Sequence, residues 1–246
     1  MIIYGINPVL EALKAGRVTR VRAAGRADAR VQQVLSEAGR RGVPVVHVEA
    51  GDLDRASRGE LHQGVVADVA APRAWSVAEL VAAAAGSALL VVLDSVEDPH
   101  NVGAIVRSVD ASGAHGLVRQ TRHAAALDGV AARASAGAVA HVPVADVVNV
   151  ARAIEELKQL HVWTIGLAAD APAAYDSIDW TLPSAIVVGA EGTGLRRLVR
   201  ESCDLLVSIP MFGFVDSLNV SVATGVVLFE AARQRRAAVA GRLETS

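Results

Sequence analysis

The chain is short of cysteine, of lysine and of long apolar runs, and each shortage excludes something. Cys203 is the only cysteine among 246 residues, so an intrachain disulfide scaffold and a zinc ribbon are both out. Cys203 is expected to be a small buried hydrophobe in a reducing compartment. No apolar run reaches the roughly 18 residues that suggest a membrane span; the longest, over 81–93, is broken by Gly86 and Ser87. The opening MIIYGINPVLEALKAG lacks a basic segment followed by a long apolar one, so the expectation is a soluble cytoplasmic protein without a signal peptide. His47, His62, His100, His115, His123, His141 and His161 show no metal-ligand spacing, and no metal is expected. There is no G-x-S-x-G elbow and no G-x-x-x-x-G-K-[ST] phosphate loop.

What is present is apolar bulk, 52% of the residues, enough for a sizeable core and too much for a disordered chain. The net charge of −2 hides an asymmetry: residues 1–73 carry 11 basic and 8 acidic side chains, the remainder 13 and 18. Seven arginines fall between Arg17 and Arg41, opposed only by Asp28 and Glu37. Such a patch suits phosphate, with Arg17, Arg20, Arg22 and Arg26 as candidate RNA contacts. It also suits a solvated helix face in a chain whose only lysines are Lys14 and Lys158.

Helix and strand signals alternate throughout. Asn7-Pro8 reads as a cap and first-turn proline opening a helix through Lys14, and Asp28 to Arg40 reads as a second helix. Strands are expected at Val18 to Ala24, Val43 to Val48 and Gly64 to Val69. Residues 1–70 thus form a small α/β domain, 71–86 a linker around Pro72 with a connecting helix from Val77 to Ala85, and 87–246 a second α/β domain. In that second domain strands are expected at Leu89 to Leu93, Gly116 to Val118, His141 to Val144, Val162 to Leu167, Ala185 to Val188 and Leu205 to Ile209. Helices are expected near Val102 to Ala111, Val147 to Leu160, Leu195 to Glu201 and Val220 to Arg236. Continuous apolar strands such as LLVVL and AIVVG imply a parallel sheet covered on both faces. The last helix is apolar on two sides, with Val220, Ala223, Val227 and Ala231 on one and Val222, Val226 and Phe229 on the other. It is expected to be buried all round, against the core and a second subunit.

Ligands in parallel α/β sheets sit beyond the carboxyl ends of the strands, and three such loops carry unusual residues. The first runs from Asp94 through Asn101 and Gly103 to Arg107, with Gly103 one turn before Arg107 and expected to leave room beside a phosphate-gripping guanidinium. The second, Gly189-Ala-Glu191-Gly192-Thr-Gly194, permits close backbone approach to a ligand; its glutamate needs a partner. The third, from Ile209-Pro-Met211 to Ser217-Leu218-Asn219-Val-Ser221, supplies either a helix cap or site residues.

Together these three motifs resemble the SpoU (TrmH-type) branch of the SPOUT RNA methyltransferases. The resemblance extends over the whole chain: Tyr4-Gly5-Ile6-Asn7-Pro8 and His62-Gln63-Gly64-Val65 are similar to the substrate-binding domain of the family's 23S rRNA guanosine 2'-O-methyltransferases, a small ribosomal-protein α/β fold. It implies S-adenosylmethionine as cofactor, a trefoil knot in the C-terminal domain, and a homodimer built through the C-terminal helix. By motif position it also implies cofactor contacts from Gly189, Gly192, Ile209, Met211 and Leu218, with Thr164 nearby. Asn101, Arg107, Glu191, Ser217 and Asn219 take the catalytic positions. The bulky Phe212-Gly-Phe214-Val-Asp216 departs from the small residues expected there.

The activity so implied is 2'-O-methylation of a guanosine ribose in the peptidyl-transferase region of 23S rRNA. A tRNA enzyme of the same family is the alternative, and a non-catalytic RNA-binding module a second. A nucleotide-dependent dehydrogenase lacks its glycine fingerprint, because Arg197 stands where G-x-G-x-x-G needs its last glycine.

Overall fold

The structure, a computed structural model, describes residues 1–25, 28–70, 73–122 and 124–244. Arg26, Pro72 and His123 lie outside the described residues. In chain order the elements begin with β1 (Ile2–Tyr4), α1 (Ile6–Lys14), β2 (Val18–Ala24), α2 (Ala29–Arg40), β3 (Val45–Val48), α3 (Ala50–Ser57) and β4 (Val65–Val69). They continue with α4 (Val77–Ala82), β5 (Leu89–Asp94), α5 (Pro99–Ser112), β6 (Gly116–Gln120), α6 (Gly129–Ala134), β7 (Val144–Val147) and α7 (Val150–Gln159). The remainder are β8 (Trp163–Leu167), β9 (Ala173–Ala174), β10 (Ser184–Gly189), α8 (Arg197–Ser202), β11 (Leu205–Ser208) and α9 (Val220–Glu244). Two compact units result: the first comprises Met1–Arg73, Val102–Arg107 and Ala126–His141, and the second the rest.

The first unit is organised on a four-stranded sheet of order β1-β4-β2-β3, in which only β2 and β3 run parallel. The apolar face of α2 covers it with Val31, Val34 and Ala38, and Asp28 caps that helix by accepting from the backbone N–H groups of Arg30 and Val31. Asn7 is not the cap of α1. Gly5, at φ 92°, precedes the helix, and the free N–H of Ile6 donates to Gln63 Oε1 at 3.1 Å, so a distant side chain does what the local asparagine was expected to do.

The second unit is a seven-stranded, all-parallel sheet of order β7-β6-β5-β10-β8-β11-β9. Its central strands β5 and β10 are buried along their whole length, which is why their sequences read as unbroken apolar runs. The strand expected at His141 to Val144 begins where that stretch ends. Ala138–Ala140 form a tight helical turn, and Pro143, with no N–H to give, only accepts from Leu117, so pairing with β6 starts at Val144. Asn149 then caps α7 through the N–H of Arg152.

Helix α9 buries one face of the expected two within the chain. Val220, Thr224, Val227, Leu228 and Ala231 are covered, while Val222 and Phe229 are each 51% exposed. Its far end is fixed by Arg235, whose guanidinium donates to the carbonyls of Trp180, Ser87, Ala88 and Leu182, and by Gln234, which bonds Trp180 N–H and Ile178 O. No helix among the described residues is long and apolar enough to cross a membrane. Arg235→Met should lower the unfolding free energy by about 2–3 kcal/mol in urea denaturation, because it strands carbonyls that a charged donor now satisfies; a change under about 0.5 kcal/mol would contradict this anchoring.

Candidate functional site

A cavity of about 590 Å³ opens beyond the carboxyl ends of β8, β10 and β11, in the size range of small-molecule sites. Its walls are the segments that follow those strands: 167–170, 188–195, 207–211 and 216–220. The cavity lies beside the place where β10 inserts between β5 and β8, the switch in strand order at which open parallel sheets bind ligands.

The loop after β10 is shaped by close approach. Ala190 and Gly194 bridge, with Gly194 N–H donating to Ala190 O at 2.9 Å. A Cβ on Gly189 would fall 2.1 Å from both the carbonyl carbon and oxygen of Gly194 and 2.4 Å from Leu195 N. Only glycine fits there. The loop is locked from below by Asp94, the last residue of β5 and paired with Gly189 in register. Its carboxylate is fully buried and accepts from Arg196 N–H at 2.8 Å and Arg196 Nε at 2.6 Å, while Arg196 Nη2 reaches Gln120 Oε1 at 2.9 Å. At the cavity mouth Arg200 grips Asp170 with two 2.9 Å bonds, which hold the Asp170 carboxyl below its usual range.

Asn219 joins the three loops. Its Oδ1 accepts from Ser221 N–H at 2.9 Å and from Ser221 Oγ at 2.6 Å, capping α9. Its Nδ2 donates to Asn101 Oδ1 at 2.9 Å and to Glu191 Oε1. One end of the amide therefore caps the helix while the other end joins Asn101 and Glu191. Glu191 finds in Asn219 the partner its place in a tight turn called for. Asn101 sits in the first turn of α5, which starts earlier than expected because Asp98 caps it through His100 N–H and Pro99 occupies the first position.

Gly189, Glu191, Gly192, Ile209 and Met211 all line the cavity, as do Ser217, Leu218 and Asn219. Ser217 Oγ donates to Asp216 Oδ1 at 3.1 Å. Thr164 does not line it and corrects an expectation. It lies near the amino end of β8, fully buried, donating from its N–H and Oγ1 to Asp204 Oδ2 at 2.9 and 2.7 Å. Leu167–Asp170, at the opposite end of the strand, reach the cavity instead. Arg107 belongs to the first unit, exposed and without a hydrogen-bond or ion-pair partner among the described residues.

Gly103 gives no room to Arg107: a Cβ there would strike Ala134 and Ala131 of α6 at 2.5–2.6 Å, so the glycine serves helix packing. Of the candidate RNA-contacting arginines, Arg20 is exposed. Arg22 is paired with Asp68 at 2.5 Å, and Arg17 is half-buried and donates to Val139 O at 3.0 Å. Burial pushes the Cys203 thiol up to about 12, and its sulfur donates to Val199 O, which leaves it a packing group.

Sequence reasoning missed Asp94 and Arg196. The visible signal was a carboxylate closing the otherwise apolar LLVVLD, since a buried charge demands a partner.

Comparison with known proteins matches two family models to successive stretches of the chain. A family model described as SpoU rRNA methylase matches residues 88–229, and one described as RNA 2'-O ribose methyltransferase substrate binding matches residues 2–75. A Mycobacterium ulcerans protein named as an uncharacterized tRNA/rRNA methyltransferase is 46% identical over 95% of this chain and 77% of its own length. A Bacillus subtilis protein named as a TrmH-family tRNA/rRNA methyltransferase is 41% identical over 95% of each. Among solved structures, the SpoU methyltransferase AviRb of Streptomyces viridochromogenes, in complex with S-adenosylmethionine, superposes with a TM-score of 0.82 at 27% identity, covering 96% of this chain and 91% of that one.

Asp94→Ala should cost about 2–3 kcal/mol in chemical denaturation, the lower end for a broken buried pair because the Arg196 side chain is half-exposed and can be rehydrated. A loss below about 1 kcal/mol would show that Asp94 is not what holds the glycine loop.

Proposed function

This chain belongs to the SpoU family of RNA methylases, and we propose that it methylates the 2'-OH of a guanosine ribose in the peptidyl-transferase region of 23S rRNA, with S-adenosylmethionine as donor. The observation that carries the reading is the meeting of Asn101, Glu191 and Asn219 at a cavity walled by the loops after β10 and β11.

The residues present fit the cofactor. The cavity volume suits a nucleoside-sized ligand, and Gly189, Gly192, Ile209, Met211 and Leu218 offer backbone groups and an apolar wall rather than charges. Thr164 has no part in it. When bound, S-adenosylmethionine supplies an activated methyl on a sulfonium. The protein's task is to hold the ribose oxygen in line and to manage its proton.

Asn101, Glu191 and Asn219 form a fixed polar group that orients the nucleotide, with Ser217 on the cavity rim. Arg107, exposed and unpaired among the described residues, has its guanidinium free for a substrate phosphate and for the oxygen as it loses its proton. Guanidinium groups surrender protons only reluctantly. A charged Arg107 stabilising the forming alkoxide needs less of the site than an arginine acting as base.

Residues 1–70 present the RNA-binding surface, with Arg20 among its exposed arginines and the 2–75 family match in support. Homodimerisation through α9, supported by its half-exposed Val222 and Phe229, the trefoil knot and a cytoplasmic location belong to the same proposal. A tRNA ribose is the second reading, favoured by relatives named for both substrates.

Transfer of labelled methyl from S-adenosylmethionine to purified 23S rRNA and to tRNA, with mapping of the product, separates the two readings. Label on a 23S guanosine 2'-oxygen is expected; label on tRNA alone would establish the alternative, and label on neither would indicate a binding module. Arg107→Ala should abolish turnover while cofactor affinity stays within about twofold, and Arg107→Lys should also fail because lysine lacks the planar fork. Near-normal turnover in Arg107→Ala would remove the arginine from the mechanism.

A further inference from the structure

The first unit contains a layered contact that the proposed reaction leaves unexplained. Where Gly103 of α5 meets α6, an added Cβ would stand 2.5 Å from Ala134 Cβ, 2.6 Å from Ala131 O and 3.1 Å from Ser135 N. Four residues on, along the same stripe of α5, is Arg107. Helix α6 and the turn after it press in their own turn on the N-terminal elements. A Cβ on Gly129 would lie 2.9 Å from the Tyr4 ring, and one on Gly137, at φ 96°, would lie 2.7 Å from Glu11 Cβ. Three glycines thus remove side chains at three successive contacts, so small displacements of one layer have no slack to absorb them.

Polar ties close the same seam. His141 Nε2 and Glu11 Oε2 are 3.0 Å apart, Arg133 donates to Leu61 O at 3.2 Å, and Arg17 Nη1 donates to Val139 O at 3.0 Å. Arg17 is the unusual member. Its Nε and Nη2 are buried without an acceptor, and burial lowers its proton affinity. It borders a void of about 10 Å³ between Met1, Ile3 and Ala12 of the N-terminal elements and Ala132, Gly137 and Val139. A void of that size holds about one water. No phosphate can enter to reach the inner nitrogens.

We propose that Arg17 is a positioning residue for Arg107: its bond to Val139 O fixes the 126–141 segment against the N-terminal sheet, and that segment, through Ala131 and Ala134 under Gly103, sets where α5 carries Arg107. The proposal rests on the reading of Arg107 as the catalytic arginine. It gives the N-terminal elements a role in turnover as well as in RNA capture, and it moves Arg17 from RNA contact to internal strut.

The test compares the full-length wild type with Arg17→Ala, Arg17→Met and Arg17→Lys. Methyl transfer is measured at saturating RNA and cofactor, RNA affinity across a salt series, and hydrogen exchange at the amides of residues 102–107. Arg17→Ala should lower kcat on the order of tenfold or more, as small misplacements of a reacting group do, with RNA Kd within about twofold and an unchanged salt slope. Amides 102–107 should exchange about tenfold faster. Arg17→Met fills the same apolar void without a charge, so it should fold and still lose kcat. Arg17→Lys, which keeps a donor for Val139 O, should recover part of it.

Weaker RNA binding, with a salt slope reduced by about one and kcat intact, would make Arg17 a phosphate contact and overturn the proposal. So would wild-type kcat and exchange in both Arg17→Ala and Arg17→Met. Because exchange is read without turnover, a faulty assignment of Arg107 would appear as an active Arg107→Ala enzyme while the exchange result still judged the strut.

Discussion

One carboxamide, that of Asn219, is the constraint on which the proposed site depends. Its oxygen satisfies the free amides at the start of α9, and its nitrogen holds Asn101 and Glu191. The residues so joined stand 118 and 28 positions apart in the chain, and each comes from a loop already stiffened by its own device. Asp98 and Pro99 set the start of α5, Gly189 admits the folded-back loop after β10, and Asp94 secures that loop through Arg196. The amide bonds therefore link preorganised parts, and little ordering entropy remains to be lost when a ligand arrives.

The distribution of arginine follows a related economy. An arginine-rich stretch near the N-terminus suggests a surface for phosphate, yet part of its charge is paired or packed within the fold. Arg22 is held by Asp68, Arg40 and Arg41 share Glu37, and Arg17 points into packing. Arg20 on β2 and Arg30 on α2 stay exposed, and the Arg40 side chain is mostly exposed despite its pairing. Arg235 shows the same use of a guanidinium as internal mortar, spanning four carbonyls at the base of α9.

Much of the fold was legible in the sequence. Parallel strands β5 and β10 were visible as apolar runs, and Asp28 opens α2 as local chemistry dictates. The motifs that reach the cavity were legible as polar residues after buried strands. The rest depended on contacts between distant segments, which no local pattern reports. Helix α3 shows two buried positions, Leu53 and Ser57, too few for a periodic signal. Thr164 was placed at the wrong end of its strand because its partner, Asp204, lies 40 residues away. Gly103 looked like space for an arginine, and its neighbour was a helix at residues 129–134 that the alanine-rich sequence did not announce.

The most direct test of the account is Asn219→Asp. Aspartate keeps the oxygen that caps α9 but loses the donor to Asn101 and sets a second carboxylate against Glu191. The variant is expected to fold, with a melting temperature within a few degrees of wild type, while the proposed methyl transfer to RNA falls by at least about 100-fold. Transfer near the wild-type rate in the folded variant would contradict it, because the three loops would then meet without the amide that is held to join them.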